Sequence, residues 1–228
     1  MRDKTMTMLK TMQAAIFDLD GVIVDTAKYH YLAWKRLANK LGFDFTEHDN
    51  ERLKGVSRAH SLQILLEIGG VQADEADRQA MTERKNNWYV ESISKLDASE
   101  ILPGADAYLR ILRAQGVKIA LASASKNSAL ILNRLNIVGL FDAVVDGSMV
   151  RNSKPDPEAF LLAAMRLGVE PKDCVVFEDA EAGVEAAKRA GMSVVGISKL
   201  AALPHADMVI AGLYQLVALL PDPAASIR

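Results

Sequence analysis

Short apolar runs recur along the chain at Ala14 to Phe17, Val117 to Ala122, Ala143 to Val145, Cys174 to Phe177, Val194 to Ile197 and Met208 to Ile210. Runs in which successive rather than alternate positions are apolar predict strands buried on both faces, as in a parallel sheet. Between them, Ala105 to Ala114, Ser128 to Leu135, Glu158 to Leu167 and Glu181 to Ala190 carry helical spacing, and Gly116, Gly168 and Gly191 supply stops. Strand alternating with helix predicts an α/β fold with a doubly wound, Rossmann-like parallel sheet.

The stretch from Thr26 to about Leu96 breaks this alternation, with three helix-like segments and no convincing strand. It reads as a helical cap over 26–96, inserted into an α/β core formed by 12–25 and 97–228. In its first helix His30, Trp34, Leu37 and Leu41 share one stripe, and Gly42 follows as a stop. The chain leaves the core near Asp25 and returns near Ile101-Leu102-Pro103-Gly104, so two crossings suited to hinges flank an expected cleft. Residues 1–11 precede the first strand and read as a flexible leader.

Composition narrows the function. The 228 residues are 50% hydrophobic, and 27 basic against 29 acidic side chains leave a formal charge of −2, without any lysine- or arginine-rich run. Such a surface offers no general attraction to nucleic acid or anionic membrane, so neither is expected as a partner. The apolar stretch after the leader is interrupted by Asp18 and Asp20, which excludes a signal-peptide core, and Met208 to Leu220 is too short to cross a bilayer as a helix. The expected location is cytoplasmic. Cys174 is the lone cysteine, so there is no internal disulfide framework; its apolar neighbours Val175-Val176-Phe177 suggest a small buried hydrophobe.

The chemistry gathers at predicted strand ends, where open parallel sheets place their ligands. One Asp-x-Asp pair is about what 17 aspartates give by chance, but Asp18-Leu19-Asp20 closes the first buried strand and Gly21 lets the chain turn away. The second strand runs into Ser123-Ala124-Ser125-Lys126-Asn127, ahead of a helix start that suits an anion or serves as a bare cap. Beyond the third strand comes Ser153-Lys154-Pro155. Proline makes a cis Lys154–Pro155 peptide accessible at about 0.5–1 kcal/mol, and a cis bond is expected if Lys154 points inward. The fourth ends in Glu178-Asp179, and four crowded carboxylates imply a hard divalent cation, most simply Mg²⁺.

This ordered set, Asp18-Leu19-Asp20-Gly21, Ser123, Lys154-Pro155 and Glu178-Asp179, resembles the haloacid dehalogenase-like phosphotransferases. Phe17 to Ile23, Leu53 to Arg58 and Ala120 to Asn127 are further similar to the β-phosphoglucomutase branch, and sugar-phosphate phosphatases share parts of them. The likeness extends from Met12 to about Ile197. It implies that Asp18 is the nucleophile, carrying the phosphoryl group as an aspartyl-phosphate, and Asp20 the general acid and base. It implies Mg²⁺ on the Asp18 carboxylate, the Asp20 carbonyl and Asp179, with Glu178 nearby. Ser123, the Ala124 N–H and Lys154 would hold the transferring group, while Arg58 and Ser125, Lys126 and Asn127 would grip the sugar's second phosphate. His30 and Lys85 would pair to link cap closure to Asp20.

Lys54, Gly55, Val56 and Ser57 belong to the same substrate-binding stretch. Trp34 is a candidate sugar contact, and Trp88 reads as packing. The implied reaction interconverts β-D-glucose 1-phosphate and glucose 6-phosphate through glucose 1,6-bisphosphate, for which a monomer suffices. Two other readings share parts of the pattern. A sugar-phosphate phosphatase would use the same aspartate and release phosphate to water. A phospho-acceptor signalling domain would need neither a large cap nor a second acid two residues on.

Overall fold

The structure is a computed structural model describing residues 2–53, 56–199 and 203–219. Six strands, β1 (Ala14–Phe17), β2 (Lys118–Ala122), β3 (Ala143–Val145), β4 (Cys174–Glu178), β5 (Ser193–Ile197) and β6 (Met208–Ile210), form one parallel sheet in the order β3-β2-β1-β4-β5-β6. Every residue of β1 and β4 is buried, which is why their sequences show no alternation.

Successive strand residues face two different layers. Ala15, Phe17, Ile119, Leu121, Val175 and Phe177 share one core cluster, whereas Ala14, Ile16, Ala120, Ala122, Cys174 and Val176 share another. The fold is therefore a three-layer, Rossmann-type sandwich. From β1 the chain builds outward through β2 and β3, then crosses back to place β4 on the other side. The strand order thus reverses at β1, and the carboxyl ends of β1, β2 and β4 adjoin that switch point.

In chain order the helices are α1 (Arg2–Thr11), α2 (Ala27–Lys40), α3 (Glu47–Glu51), α4 (Arg58–Gly69), α5 (Glu75–Ile93), α6 (Ala105–Ala114), α7 (Ser128–Arg134), α8 (Glu158–Leu167), α9 (Glu181–Arg189) and α10 (Tyr214–Val217). Those of α6, α7 and α10 join the Phe17 layer, and those of α8 and α9 join the Ile16 layer. The segment read as a flexible leader carries the helix α1. Met8 and Leu9 pack against the Phe17 layer, and the Met12 N–H donates to the Met8 carbonyl at 3.1 Å.

The described residues of 26–96 hold four helices rather than the three expected. The extra one, α3, has five residues, too few for periodicity to reveal it; Thr46 and Asp49 close it with a capping box. Trp34, Leu37, Phe45, Leu62, Leu65 and Leu66 form a separate cluster within this insert, whereas Ala33, Tyr89 and Ile93 belong to the main core. The two crossings run side by side. Val24 bridges Ile101 antiparallel, the Leu102 N–H donates to the Ile23 carbonyl at 2.9 Å, and Lys28 and Tyr29 both donate to the Glu100 carboxylate at 2.6 and 2.7 Å. The Lys154–Pro155 peptide is cis. Among the described residues, no helix is long and apolar enough to cross a membrane.

Candidate active site

Asp18 directly follows β1, and its N–H donates to the Phe177 carbonyl at 2.9 Å, which fixes it against β4. The chain then turns at Gly21, with φ +78°, and a Cβ there would lie 2.1 Å from an Asp179 carboxylate oxygen. Glycine is needed twice over, for the left-handed turn and for the close approach of the two acidic strand ends. Asp18, Glu178 and Asp179 each offer one oxygen within 4.8 Å of the others, a group of hard donors that could hold a divalent metal. Glu178 is fully buried because α9 brings Gly183 against it; a Cβ at that position would meet the Glu178 carboxyl carbon at 2.0 Å.

Lys154 lies between two of these acids. Its Nζ donates to Asp18 Oδ1 at 2.5 Å, Glu178 Oε2 at 2.7 Å and the Ala122 carbonyl at 3.2 Å, so the ammonium is satisfied by the ends of three strands. Burial acts to lower its pKa, but the Asp18 and Glu178 charges outweigh that and hold it above the usual lysine range. The crowding that the sequence assigned to a cation alone is therefore relieved in part by lysine. Asp20 stands outside the three-acid group. Burial first, and the Asp18 charge second, push its carboxyl up to about 7, and its Oδ1 is buried without a hydrogen-bond partner.

A cavity of about 120 Å³ opens above these strand ends. Asp18, Asp20, Asp179, Ser123, Ala124, Ser125, Lys126 and Asn127 line it from the sheet side, and His30, Trp34, Val56, Ser57, Arg58 and Lys85 from α2, α4, α5 and the turn before α4. Glu178 and Lys154 lie behind this wall rather than in it. Lys54 and Gly55 lie outside the described residues. The Ser123 hydroxyl oxygen accepts from the Ser125 N–H at 3.1 Å, which leaves its O–H free to donate into the cavity. Among the lining residues that sequence reasoning missed are Asn50, Ser61, Asn86 and Tyr89. Ser61 follows Arg58 by three and Tyr89 follows Lys85 by four, so helical spacing could have found them; nothing marks Asn50.

His30 and Lys85 meet, with Lys85 Nζ 2.8 Å from His30 Nδ1. The lysine is 2% exposed and lies over the Trp34 and Tyr89 rings, 4.6 and 4.8 Å from their centroids. Burial, aided by the Arg58 charge and opposed by Asp20, lowers its pKa to about 7. Burial, with Lys85 and Arg58, also holds His30 well below its ordinary value, so a neutral imidazole accepts from the ammonium.

Such a buried cation is expected to weaken the fold. Lys85→Met should stabilise the chain by about 1–3 kcal/mol at neutral pH, since an apolar side chain of similar volume removes the desolvation penalty. Between about 7 and the ordinary 10.5 the unfolded chain holds more protons at this position, so the wild type gains stability as pH rises. Thermal melts should therefore show the variant's advantage near about pH 6 and its fading by about pH 10; a variant that melts lower at both would contradict this.

With the geometry in view, comparison with known proteins becomes informative. A family model described as haloacid dehalogenase-like hydrolase matches residues 12–191. The chain is 47% identical to a β-phosphoglucomutase of Bacillus subtilis, over 87% of this chain and 89% of that one. It is 36% identical to a phosphorylated carbohydrates phosphatase of Thermotoga maritima, over 79% and 82%. Its fold superposes on a crystal structure of β-phosphoglucomutase from Clostridium difficile with a TM-score of 0.86 at 43% identity, covering 90% and 93% of the two chains. Matching over most of its length in sequence and in fold, the chain belongs to the haloacid dehalogenase-like hydrolase family.

Proposed function

We propose that the protein is a phosphomutase that interconverts β-D-glucose 1-phosphate and glucose 6-phosphate through an aspartyl-phosphate enzyme and glucose 1,6-bisphosphate. The observation that carries this reading is one cavity with two unlike walls. Asp18 and Asp20 stand on the sheet side, and Arg58, Lys85 and His30 face them from an insert tied to the core by two adjacent crossings. The similarity to β-phosphoglucomutases of two bacteria supports the substrate.

On this reading, phospho-Asp18 receives the 6-hydroxyl of glucose 1-phosphate. Asp20 takes the hydroxyl proton as the oxygen attacks phosphorus, and Asp18 leaves as a carboxylate. The bisphosphate then turns over in the cavity. Asp18 attacks the phosphorus at C1, and Asp20 returns a proton to the departing C1 oxygen, which regenerates phospho-Asp18 and frees glucose 6-phosphate. Lys154, held against Asp18 from behind the cavity wall, and the Ser123 hydroxyl, which lines it, offset the charge that spreads over the transferring oxygens. Asp18, Asp179 and the Asp20 carbonyl, with Glu178 nearby, would hold Mg²⁺, which supplies further fixed positive charge at the phosphoryl group.

Helices α2 to α5 act as a cap on a core of 12–25 and 97–228. Its closure, which brings Arg58 to the segment Ser125 to Asn127 so that together they grip the second phosphate, keeps water from phospho-Asp18 until a sugar hydroxyl is in place. The phosphatase reading uses the same residues without that exclusion, and the Thermotoga maritima relative is named for such an activity. A coupled assay separates them. With β-glucose 1-phosphate, Mg²⁺ and a trace of bisphosphate, glucose 6-phosphate should appear much faster than free phosphate; phosphate release without isomerisation would overturn the mutase.

A further inference from the structure

Asn127 immediately precedes α7, the position at which an asparagine side chain ordinarily accepts from the helix's first N–H groups. Here it does not: the Asn127 side chain makes no cap hydrogen bond. Its Nδ2 instead donates across the cavity to Asn86 Oδ1 on α5 at 3.0 Å. Both residues are half-buried and both line the cavity. Asn86 directly follows Lys85, whose Nζ meets His30, so α5 carries neighbouring contacts to α2 and to the Ser123–Asn127 loop. Away from Glu100, where Lys28 and Tyr29 join the crossings, this hydrogen bond ties the insert to the core over the cavity itself.

We propose that Asn86 is a positioning residue, the cap-side latch that orients the Asn127 amide and couples the pose of α5 to occupation of the cavity by a phosphorylated sugar. The inference rests on the sugar-phosphate reading above. An amide nitrogen has two hydrogens. With one given to Asn86, the plane of the Asn127 amide is fixed and the second N–H is aimed before ligand arrives. Preorganisation of this kind acts on affinity, because the bound rotamer is already selected.

The test is a double-mutant cycle on binding, which needs no turnover. The dissociation constant of glucose 6-phosphate is measured by calorimetry in the presence of Mg²⁺ for wild type, Asn86→Ala, Asn127→Ala and the double variant. Asn86→Ala should weaken binding about tenfold, the order of one hydrogen bond with its preorganisation. The double variant should bind no more weakly than Asn127→Ala, since one interaction cannot be lost twice. Losses that multiply, or unchanged affinity in Asn86→Ala, would overturn the latch. A merely structural role would lower the melting temperature without this non-additivity. If Asn86→Ala does not fold, the near-isosteric Asn86→Leu is held to the same expectations. The coupled assay judges the mutase reading separately: wild type that binds glucose 6-phosphate without isomerising loses that reading and keeps the latch, whereas wild type that binds no sugar phosphate loses both.

Discussion

Asp18→Asn is expected to lower turnover by a factor on the order of 10⁴ or more, while the protein still folds. The amide has nearly the shape of the carboxylate and can remain beside Lys154, and the backbone hydrogen bond to the Phe177 carbonyl is untouched, but the amide lacks the charge needed to attack phosphorus. No other acid can substitute. Asp179 stands on the neighbouring strand end, Glu178 is sealed behind the cavity wall, and Asp20 carries a pKa raised to about 7 by burial and by Asp18 itself. Intact-mass measurement after treatment with acetyl phosphate should show a phosphorylated wild type and an unmodified variant. A variant within about a hundredfold of wild type, or one that still takes up the phosphoryl group, would remove Asp18 from the role given to it.

Much of this architecture is legible in the sequence, because a strand buried on both faces has few choices of residue. The runs at β1 and β4 stand out, and the acids that follow them stand where the strand order reverses. What escapes notice is either too short or too distant. The five residues of α3 cannot display a period, and the described contacts of α1 with the core come from the adjacent pair Met8 and Leu9. The placement of Lys154 between Asp18 and Glu178 joins residues 136 and 24 positions apart, and no local pattern encodes such a contact. That is why the sequence credited a cation alone with relieving the acids. The contact of Asn86 with Asn127 is hidden for a similar reason: Asn127 stands out with its loop, but Asn86 looks like an ordinary surface asparagine until the fold brings the two together.

Lys154→Met should destabilise the protein by about 3–5 kcal/mol, roughly 10 °C in melting temperature for a chain of this length, as well as abolish turnover. The side chain is 2% exposed, and its loss leaves the Asp18 and Glu178 carboxylates buried and facing one another without a counter-charge. Titration of the lysine itself does not alter the wild-type contribution across the neutral range. The folded-state pKa of Lys154 lies above its ordinary 10.5, so the stabilisation is complete below that value and is lost only at higher pH. Divalent cation is the informative variable. In the variant, Mg²⁺ becomes the remaining external means of neutralising these acids, so millimolar Mg²⁺ should raise its melting temperature by more than it raises that of the wild type. Equal shifts in the two proteins, or a variant that melts within about 2 °C of wild type without Mg²⁺, would show that the lysine does not offset the charge of this cluster.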